Sequence, residues 1–142
     1  MASKVFAEAN LLLDLILNRS GNSMATRLMQ LAIEGTIQLY TTPAVIHVTA
    51  YFTAQSFTNL QTKQIILTLL TDIQVIDCDH DTALSAVNSN MDDLEDALQY
   101  YTAIKFKMDY FISSDKKLQK SAIPQLPVYT PAELLDELGP GE

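Results

Sequence analysis

Short apolar segments alternate along the chain with longer stretches in which apolar residues recur every three or four positions. The short segments have the length of buried strands, and the longer ones have the spacing of helices with one apolar face. Strands are predicted at residues 5–7, 36–40, 73–76, 110–112 and 127–129. Helices are predicted at residues 9–17, 24–33, 43–55, 59–71, 79–87, 92–105 and 131–138.

Turn and capping residues support several of these boundaries. Gly35 directly follows the second predicted helix and is placed to stop it. Thr42 and Pro43 form a helix start, because Thr caps free N–H groups and Pro is tolerated in the first turn. Residues 130–133 have the pattern of a capping box, again with Pro in the first turn. These signals separate the predicted helices from the strands before them.

Strands and helices alternate through the whole chain, which favours a parallel sheet with helices on both faces. We therefore expect a three-layer α/β/α sandwich around a mostly parallel central sheet of about five short strands. With 142 residues, of which 48% are hydrophobic, the chain has the size of one domain. We assign residues 1–138 to that domain and residues 139–142 to a flexible tail.

The charge balance limits the kinds of function to consider. There are 17 Asp and Glu residues against 9 Lys and Arg, so the net charge is −8. This argues against a general nucleic-acid binder that works through a basic surface. An acidic, metal-dependent nucleic-acid enzyme remains open, because bound cations reverse the local field.

Three further features indicate a cytoplasmic protein. Cys78 is the single cysteine, which suits a reducing compartment. Every apolar run is shorter than the roughly 20 residues that span a bilayer, so no membrane association is expected. Lys4, Glu8 and Asp14 interrupt the apolar opening of the chain, so it does not have the pattern of a signal peptide.

Acidic residues stand at the ends of predicted elements. Glu8 follows the first strand and Asp115 the fourth, while Asp93, Glu95 and Asp96 open a helix. Ligands of parallel α/β sheets bind beyond the carboxyl ends of the strands, and hard divalent cations take oxygen ligands. Converging acids would therefore form a metal site. The alternative is that the acids at the helix start only favour the positive end of the helix dipole.

Glu8 is the least expected of these acids, because its neighbours Val5, Phe6, Ala7 and Ala9 are apolar. A carboxylate buried there without a partner would have a raised pKa and become neutral. A metal ion or a hydrogen-bond network is the simpler explanation of an acid at this place.

Apolar faces of two helices are also predicted. In the helix at 92–105, a buried face is expected to contain Leu94, Ala97, Leu98, Tyr101 and Ile104. In and after the helix at 43–55, three aromatic residues are expected in a helical core or a dimer face rather than on a base-stacking surface. They are Tyr51, Phe52 and Phe57.

Four motifs, in order along nearly the full chain, resemble the PIN domain family. Residues 5–14 (VFAEANLLLD) resemble its opening, where a strand ends in Asp-x-Asn before a run of leucines, and Glu8 stands at the Asp position. Residues 93–100 (DLEDALQY) are similar to the Asp-Phe-Glu-Asp-Ala block of the toxin-like, VapC-type branch. Residues 112–115 (ISSD) resemble its Thr-x-Asp ending, and residues 126–133 (LPVYTPAE) its closing strand and Thr-Pro helix start.

The resemblance implies a metal-dependent endoribonuclease that cleaves single-stranded RNA by attack of water on a phosphodiester. It further implies a Mg²⁺ or Mn²⁺ cofactor, a role as the toxin of a toxin–antitoxin pair with an antitoxin protein as partner, and a homodimer. The implied catalytic residues are Glu8, Asp96 and Asp115. The implied metal ligands are Glu8, Asp93, Glu95, Asp96 and Asp115. Substrate contacts are expected from Asn10, Ser113, Ser114 and Lys116.

The substrate contacts after the fourth strand have alternatives. Ser113 and Ser114 could donate hydrogen bonds to a phosphate or cap the following turn. Lys116, Lys117 and Lys120 could contact an RNA backbone or form a solvated face.

The sequence departs from the family pattern in two places. Glu8 is one methylene longer than Asp, and many relatives carry an acid where this chain has Val48, beside His47. His47 could be a ligand, although a core or surface role is favoured. The alternative function is therefore a catalytically degenerate PIN fold that acts as a binding or regulatory module. A phosphoacceptor receiver-like domain also gathers acids at strand ends, but its adjacent acids after strand one and its late Lys are missing.

Overall fold

The computed structural model describes residues 2–139, which fold around one five-stranded sheet. All five predicted strands are present. They are β1 (Ser3–Ala7), β2 (Ile37–Thr41), β3 (Ile73–Val75), β4 (Tyr110–Ile112) and β5 (Val128–Tyr129). Their order in the sheet is β3-β2-β1-β4-β5, and all neighbouring pairs are parallel. The predicted three-layer α/β/α fold is confirmed.

Eight helices connect or follow these strands within the described residues. They are α1 (Ala9–Ile16), α2 (Asn22–Ile33), α3 (Pro43–Thr53), α4 (Asn59–Leu69), α5 (His80–Val87), α6 (Leu94–Lys105), α7 (Lys116–Ser121) and α8 (Pro131–Leu138). Seven of them were predicted, and α7 was not. No helix within residues 2–139 has the length and apolar character needed to cross a bilayer.

The local signals act as the sequence indicated. Gly35 follows α2 with a φ of 85°, a left-handed conformation that glycine adopts without a steric cost. The hydroxyl of Thr42 accepts a hydrogen bond from the backbone N–H of Val45 at 3.3 Å. Thr130 and Glu133 form the predicted capping box at the start of α8. Residues 140–142, most of the predicted tail, lie outside the described residues.

The strand order places a crevice beside β1. The chain passes from β1 to β2 and β3 on one side, then returns to β4 on the other side of β1. Ligands of such sheets bind where the strand order reverses, outside the carboxyl ends of the strands. Ala7 of β1 pairs with Ile112 of β4, so Glu8 and Ser113 leave the sheet side by side.

Aromatic rings hold the centre of the core. Phe6 of β1 and Phe111 of β4 stack with ring centroids 4.8 Å apart, and Tyr100 of α6 meets Phe111 edge-on at 5.6 Å. The Tyr100 hydroxyl donates a hydrogen bond to the Leu126 carbonyl at 2.6 Å and accepts one from the Ile123 N–H at 2.8 Å. These two bonds tie α6 to the segment that leads into β5.

The predicted buried face of α6 is wrong at Leu94, which is 52% exposed. The ring of Tyr100 faces the sheet instead, and small residues beside it let the helix approach closely. The buried residues of α6 are Ala97, Gln99, Tyr100, Thr102 and Ala103. Two overlapping faces of this helix carry apolar residues at helical spacing. The sequence alone favoured as the buried face the one that lies nearer to solvent.

Two positions were expected for the aromatic residues in and after α3, a helical core or a dimer face; the helical core is wrong for Tyr51 and Phe52, and the dimer face stays a prediction. Tyr51 is 62% exposed and Phe52 44% exposed, with their rings in an edge-to-face contact at 5.2 Å. Phe57 is half-buried. The buried face of α3 includes Thr49 and Thr53, whose hydroxyls donate to backbone carbonyls one turn earlier at 2.7 Å. Because both threonine hydroxyls make hydrogen bonds within the helix, this polar face can pack against the core. The aromatic rings consequently point outward.

Candidate active site

The five predicted metal-ligating acids line one pocket at the carboxyl end of the sheet. Its volume is about 240 Å³. It lies in the crevice formed by the ends of β1 and β4 and the start of α6. The acids are Glu8, Asp93, Glu95, Asp96 and Asp115. Residues that are far apart in the sequence are thus brought together at the point where the strand order reverses.

A second pocket of about 320 Å³ adjoins the first and shares three of its acids, namely Asp93, Asp96 and Asp115. Met91 and Leu118 give this second pocket apolar walls, while the remaining lining includes Lys117 and Ser121. The acids thus separate two hollows, and an extended chain molecule could lie across both.

Three of the acids are helix N-caps, which explains their local conformation. Glu8 caps α1 by accepting a hydrogen bond from the Asn10 N–H at 3.0 Å, and Asp93 caps α6 through the Asp96 N–H at 3.0 Å. Asp115 caps α7 through the Lys117 N–H at 2.8 Å and the Leu118 N–H at 3.4 Å. Capping stabilises a carboxylate at a helix start. These three positions therefore have a structural reason that is independent of any metal.

Asp96 has no such reason. Within residues 2–139 its carboxylate makes no hydrogen bond or ion pair, and burial raises its pKa to about 6, helped by repulsion from Asp93, Asp115 and Glu95. Each of these influences disfavours the charged form. A positive partner would therefore stabilise the charged form of Asp96, which lies where the two pockets meet.

Glu8 shows the raised pKa that its apolar surroundings predicted. Burial raises its pKa to about 7, and the negative charges of Asp96 and Asp14 add to this effect. Hydrogen bonds from the N–H groups of Asn10 and Leu11 lower it in part. The backbone network is therefore too weak to hold Glu8 in its charged form at neutral pH.

Carboxylate oxygens are suitable ligands for a hard divalent cation, but these acids are not arranged as a preformed metal site. Among residues 2–139, no three His, Cys, Asp or Glu side chains already form a group that could hold a metal ion. Mg²⁺ usually keeps several waters and uses only one or two carboxylates directly, so a set of three is not required. Asp96 with one neighbouring acid supplies that number. The donor set therefore fits a magnesium-like ion.

The predicted substrate-contacting residues divide between the site and the surface. Asn10 and Ser113 line the first pocket, and the Ser113 hydroxyl accepts a hydrogen bond from the Asp115 N–H at 3.1 Å. Ser114 and Lys116 are exposed, and neither lines the two pockets. Lys117 is the lysine of this segment that lines a pocket.

Position 48, where the sequence motifs place a site residue, does lie at the pocket. Val48 lines the first pocket and gives it an apolar wall. His47 is exposed and does not line this pocket. The acid that the resemblance leads one to expect at position 48 is thus replaced by an apolar side chain.

Sequence reasoning missed five residues of the first pocket, of which Phe52 and Gln99 have side chains suited to contact a ligand. Gln99 lies one helical turn after Glu95 and Asp96, so helical spacing from the acids could have identified it. Phe52 lies one turn after Val48, which the motif comparison had already placed near the site. Helix α7 was also missed, although Asp115 followed by a lysine-rich segment is an N-cap signal.

Comparison with known proteins agrees with this architecture. No curated protein sequence matches the chain. Among solved structures, PAE2754 from Pyrobaculum aerophilum is similar, with a TM-score of 0.66 at 14% identity, covering 99% of this chain and 100% of that one. VapBC2 from Rickettsia felis, bound to a DNA fragment from its promoter, has a TM-score of 0.64 at 15% identity, covering 88% and 96%.

A third similar structure is Mycobacterium tuberculosis VapC20, described as a toxin that cleaves the sarcin-ricin loop. Its TM-score is 0.65 at 14% identity, covering 85% of this chain and 97% of that one. At these identities the likenesses show a shared fold. The family assignment comes from the sequence, because a PIN domain family model matches residues 4–117. The chain therefore belongs to the PIN domain family.

Proposed function

We propose that this PIN domain protein is a metal-dependent endoribonuclease that cleaves single-stranded RNA. One observation supports this most strongly: Asp96, an unpaired and partly buried carboxylate, lies with Asp115 between two adjoining pockets, and Glu8 lines the first of them. The carboxyls of Glu8 and Asp96 repel each other and have raised pKa values, and a divalent cation would relieve this repulsion.

Five acids have named roles in this proposal. Asp96 would hold the cation, Asp115 and Glu8 would support it directly or through water, and Asp93 and Glu95 would supplement the negative charge. A cation bound there would supply positive charge to the phosphodiester and would acidify the attacking water. Asp115 is fixed by its bonds to the start of α7, so its carboxylate is oriented before any ligand binds.

The substrate assignment rests on shape and on the family. Two hollows on either side of the acids suit an extended strand whose phosphodiester lies between them. VapC20 is described as a toxin that cleaves the sarcin-ricin loop, and VapBC2 as bound to a DNA fragment from its promoter. By analogy with these relatives we propose that this chain is a toxin, paired with an antitoxin protein, homodimeric and cytoplasmic.

The test is cleavage of single-stranded RNA by the purified protein with Mg²⁺ or Mn²⁺. We expect cleavage that stops with a chelator, returns with the metal, and falls by at least about a hundredfold in Asp96→Asn, because removing one charge-stabilising group has that order of effect. Asp136→Asn is the matched control, since Asp136 is exposed in α8 and does not line the pockets. Cleavage that persists in the chelator would refute the proposal.

A second candidate function is a PIN fold that binds without cleaving. Val48 favours it, because a branched apolar side chain lines the pocket where an acid is expected. The discriminating variant is Glu8→Asp combined with Val48→Glu. If the natural chain is inactive and the double variant cleaves RNA with Mn²⁺, the scaffold is degenerate; cleavage by the natural chain that the variant does not increase excludes degeneration.

A further inference from the structure

Phe52 presents an aromatic ring to the acidic pocket. It lies in the last turn of α3, is 44% exposed, and lines the first pocket with Glu8 and Asp96. The rings that stabilise the fold, Phe6 and Phe111, are almost completely buried. The exposed face of Phe52 therefore contributes little to the core, and it borders the place where a substrate phosphodiester would lie.

Gln99 provides a second, independent observation in the same pocket. It is only 9% exposed, it lines the pocket, and within residues 2–139 its side chain makes no hydrogen bond. Its amide is not shielded from the pocket, because the Thr62 hydroxyl oxygen is the one fully buried polar side-chain atom without a partner within residues 2–139. The amide has two donors and an acceptor oxygen, which are available to a group that enters the pocket.

We propose that Phe52 stacks against a nucleobase of bound single-stranded RNA while the Gln99 amide hydrogen-bonds to the same nucleotide. This rests on the proposed function, because it takes the phosphodiester beside that nucleotide to lie at Asp96. Stacking on an aromatic ring accepts any base, since every base has a π-face. Phe52 thereby determines how the strand is positioned, and Gln99 adds a preference among bases.

The charge of the first pocket favours a stacking contact there. Among residues 2–139 no Lys or Arg lines this pocket, and the whole chain carries a net charge of −8. Phosphate contacts normally supply much of the affinity for a nucleic acid, and here the protein side of the pocket repels them. The volume of about 240 Å³ is also below the roughly 300–1,000 Å³ typical of pockets that enclose a whole ligand. It suits one part of a longer strand.

The first experiment measures the Kd of the natural chain and its variants for a short fluorescein-labelled RNA by fluorescence anisotropy. Ca²⁺ is present as a divalent cation that prefers oxygen ligands. We expect Phe52→Ala to raise the Kd by about tenfold and Phe52→Trp to restore it, because base stacking on aromatic residues has that magnitude. Phe106→Ala is the matched control. Phe106 directly follows α6 and is 38% exposed, but it does not line the pocket. Its removal should leave the Kd unchanged.

The second experiment removes the base instead of the ring. RNAs with one abasic nucleotide at successive positions are titrated against the natural chain and Phe52→Ala. At one position the loss of the base should weaken binding to the natural chain but not to Phe52→Ala, because the two changes remove the same contact. A ring with a purely structural role would give additive effects.

Several results would overturn the inference. The first is an equal change in Kd for Phe52→Ala and Phe106→Ala, and the second is additivity of the abasic and Phe52→Ala effects. The others are a change of oligomeric state in Phe52→Ala without a change in Kd, and no measurable RNA binding by the natural chain. The cleavage assay with Asp96→Asn is separate. Phe52-dependent binding without metal-dependent cleavage would refute the proposed nuclease but retain the stacking contact.

Discussion

Glu8 illustrates how one residue connects the fold to the site. Its side chain caps α1, yet burial raises its pKa to about 7 from an ordinary value of 4.5. Below pH 4.5 the carboxyl is protonated in both the folded and the unfolded chain. As the pH rises from 4.5 to about 7 the unfolded chain releases the proton first. The unfolded state is therefore favoured progressively, and this group lowers stability as the pH rises.

We expect Glu8→Gln to remove this dependence. Gln retains an oxygen that can cap the Asn10 N–H but has no proton to lose. In metal-free buffer above pH 7 the variant should be more stable than the natural chain by up to about 3 kcal/mol. At pH 4 the two should be equally stable. Urea unfolding across this pH range measures the difference.

The control is Glu34→Gln, the same chemical change at an exposed residue after α2. It should leave the pH profile of stability unchanged. If Glu8→Gln and Glu34→Gln give the same profile, Glu8 does not have a raised pKa, and its burial does not require a positive partner.

At the scale of elements, Tyr100 joins α6 to the chain before β5. Its hydroxyl bonds both to the Leu126 carbonyl and to the Ile123 N–H, and the residue is 1% exposed. The hydroxyl keeps α6, which carries Asp96 and Gln99, in a fixed position over the sheet. The placement of the acids therefore depends on a hydrogen bond made one turn further along the same helix, because Asp96 and Tyr100 are four residues apart.

We expect Tyr100→Phe to lower the free energy of unfolding by about 1–3 kcal/mol, because two backbone groups lose their partner in a buried place. Tyr101→Phe is the matched control. The Tyr101 hydroxyl makes no hydrogen bond within the described part of the chain. Chemical denaturation of both variants gives the comparison, and equal losses would mean that the Tyr100 hydroxyl has no stabilising role.

Most elements could be predicted because strands and helices in this chain have different periodicities and clear boundary residues. Thr42 with Pro43, Gly35 and the Thr130 capping box all act where the sequence indicated. Helix α7 is short and polar, with Leu118 as its single buried residue, so it offers no apolar period to read.

The acids of the site could be found from the sequence because they occupy element ends, where parallel strands bring ligands together. Phe52 and Gln99 could not be assigned in the same way. Their place in the pocket depends on how α3 and α6 rotate about their axes, and the rotation follows from packing. The buried threonines of α3 and the small residues around Tyr100 decide it.

At the scale of the whole molecule, the excess of acids and the sheet topology act together. The net charge is −8, and five acids line one pocket at the reversal of strand order. Repulsion among these acids raises the free energy of the folded chain, and a bound cation would remove this effect. Binding of the cation to the folded chain should therefore stabilise the entire domain.

We expect Mn²⁺ to raise the Tm of the natural chain. At a metal concentration about a hundred times the Kd, the gain is about 2.7 kcal/mol, or roughly 5–10 °C for a domain of this size. Thermal unfolding with and without Mn²⁺ measures it. The shift should disappear in Asp96→Asn and persist in Asp136→Asn, and a shift that is equal in both would place the metal elsewhere.

The central claim is that Asp96 and its neighbouring acids hold a divalent cation. The most direct test is a crystal structure grown with Mn²⁺ and measured at a wavelength where manganese scatters anomalously. We expect an anomalous peak in contact with the Asp96 carboxylate, beside Glu8 or Asp115, and no peak there in Asp96→Asn. A natural chain without density at this position at saturating Mn²⁺, or a peak that survives in Asp96→Asn, would contradict the account.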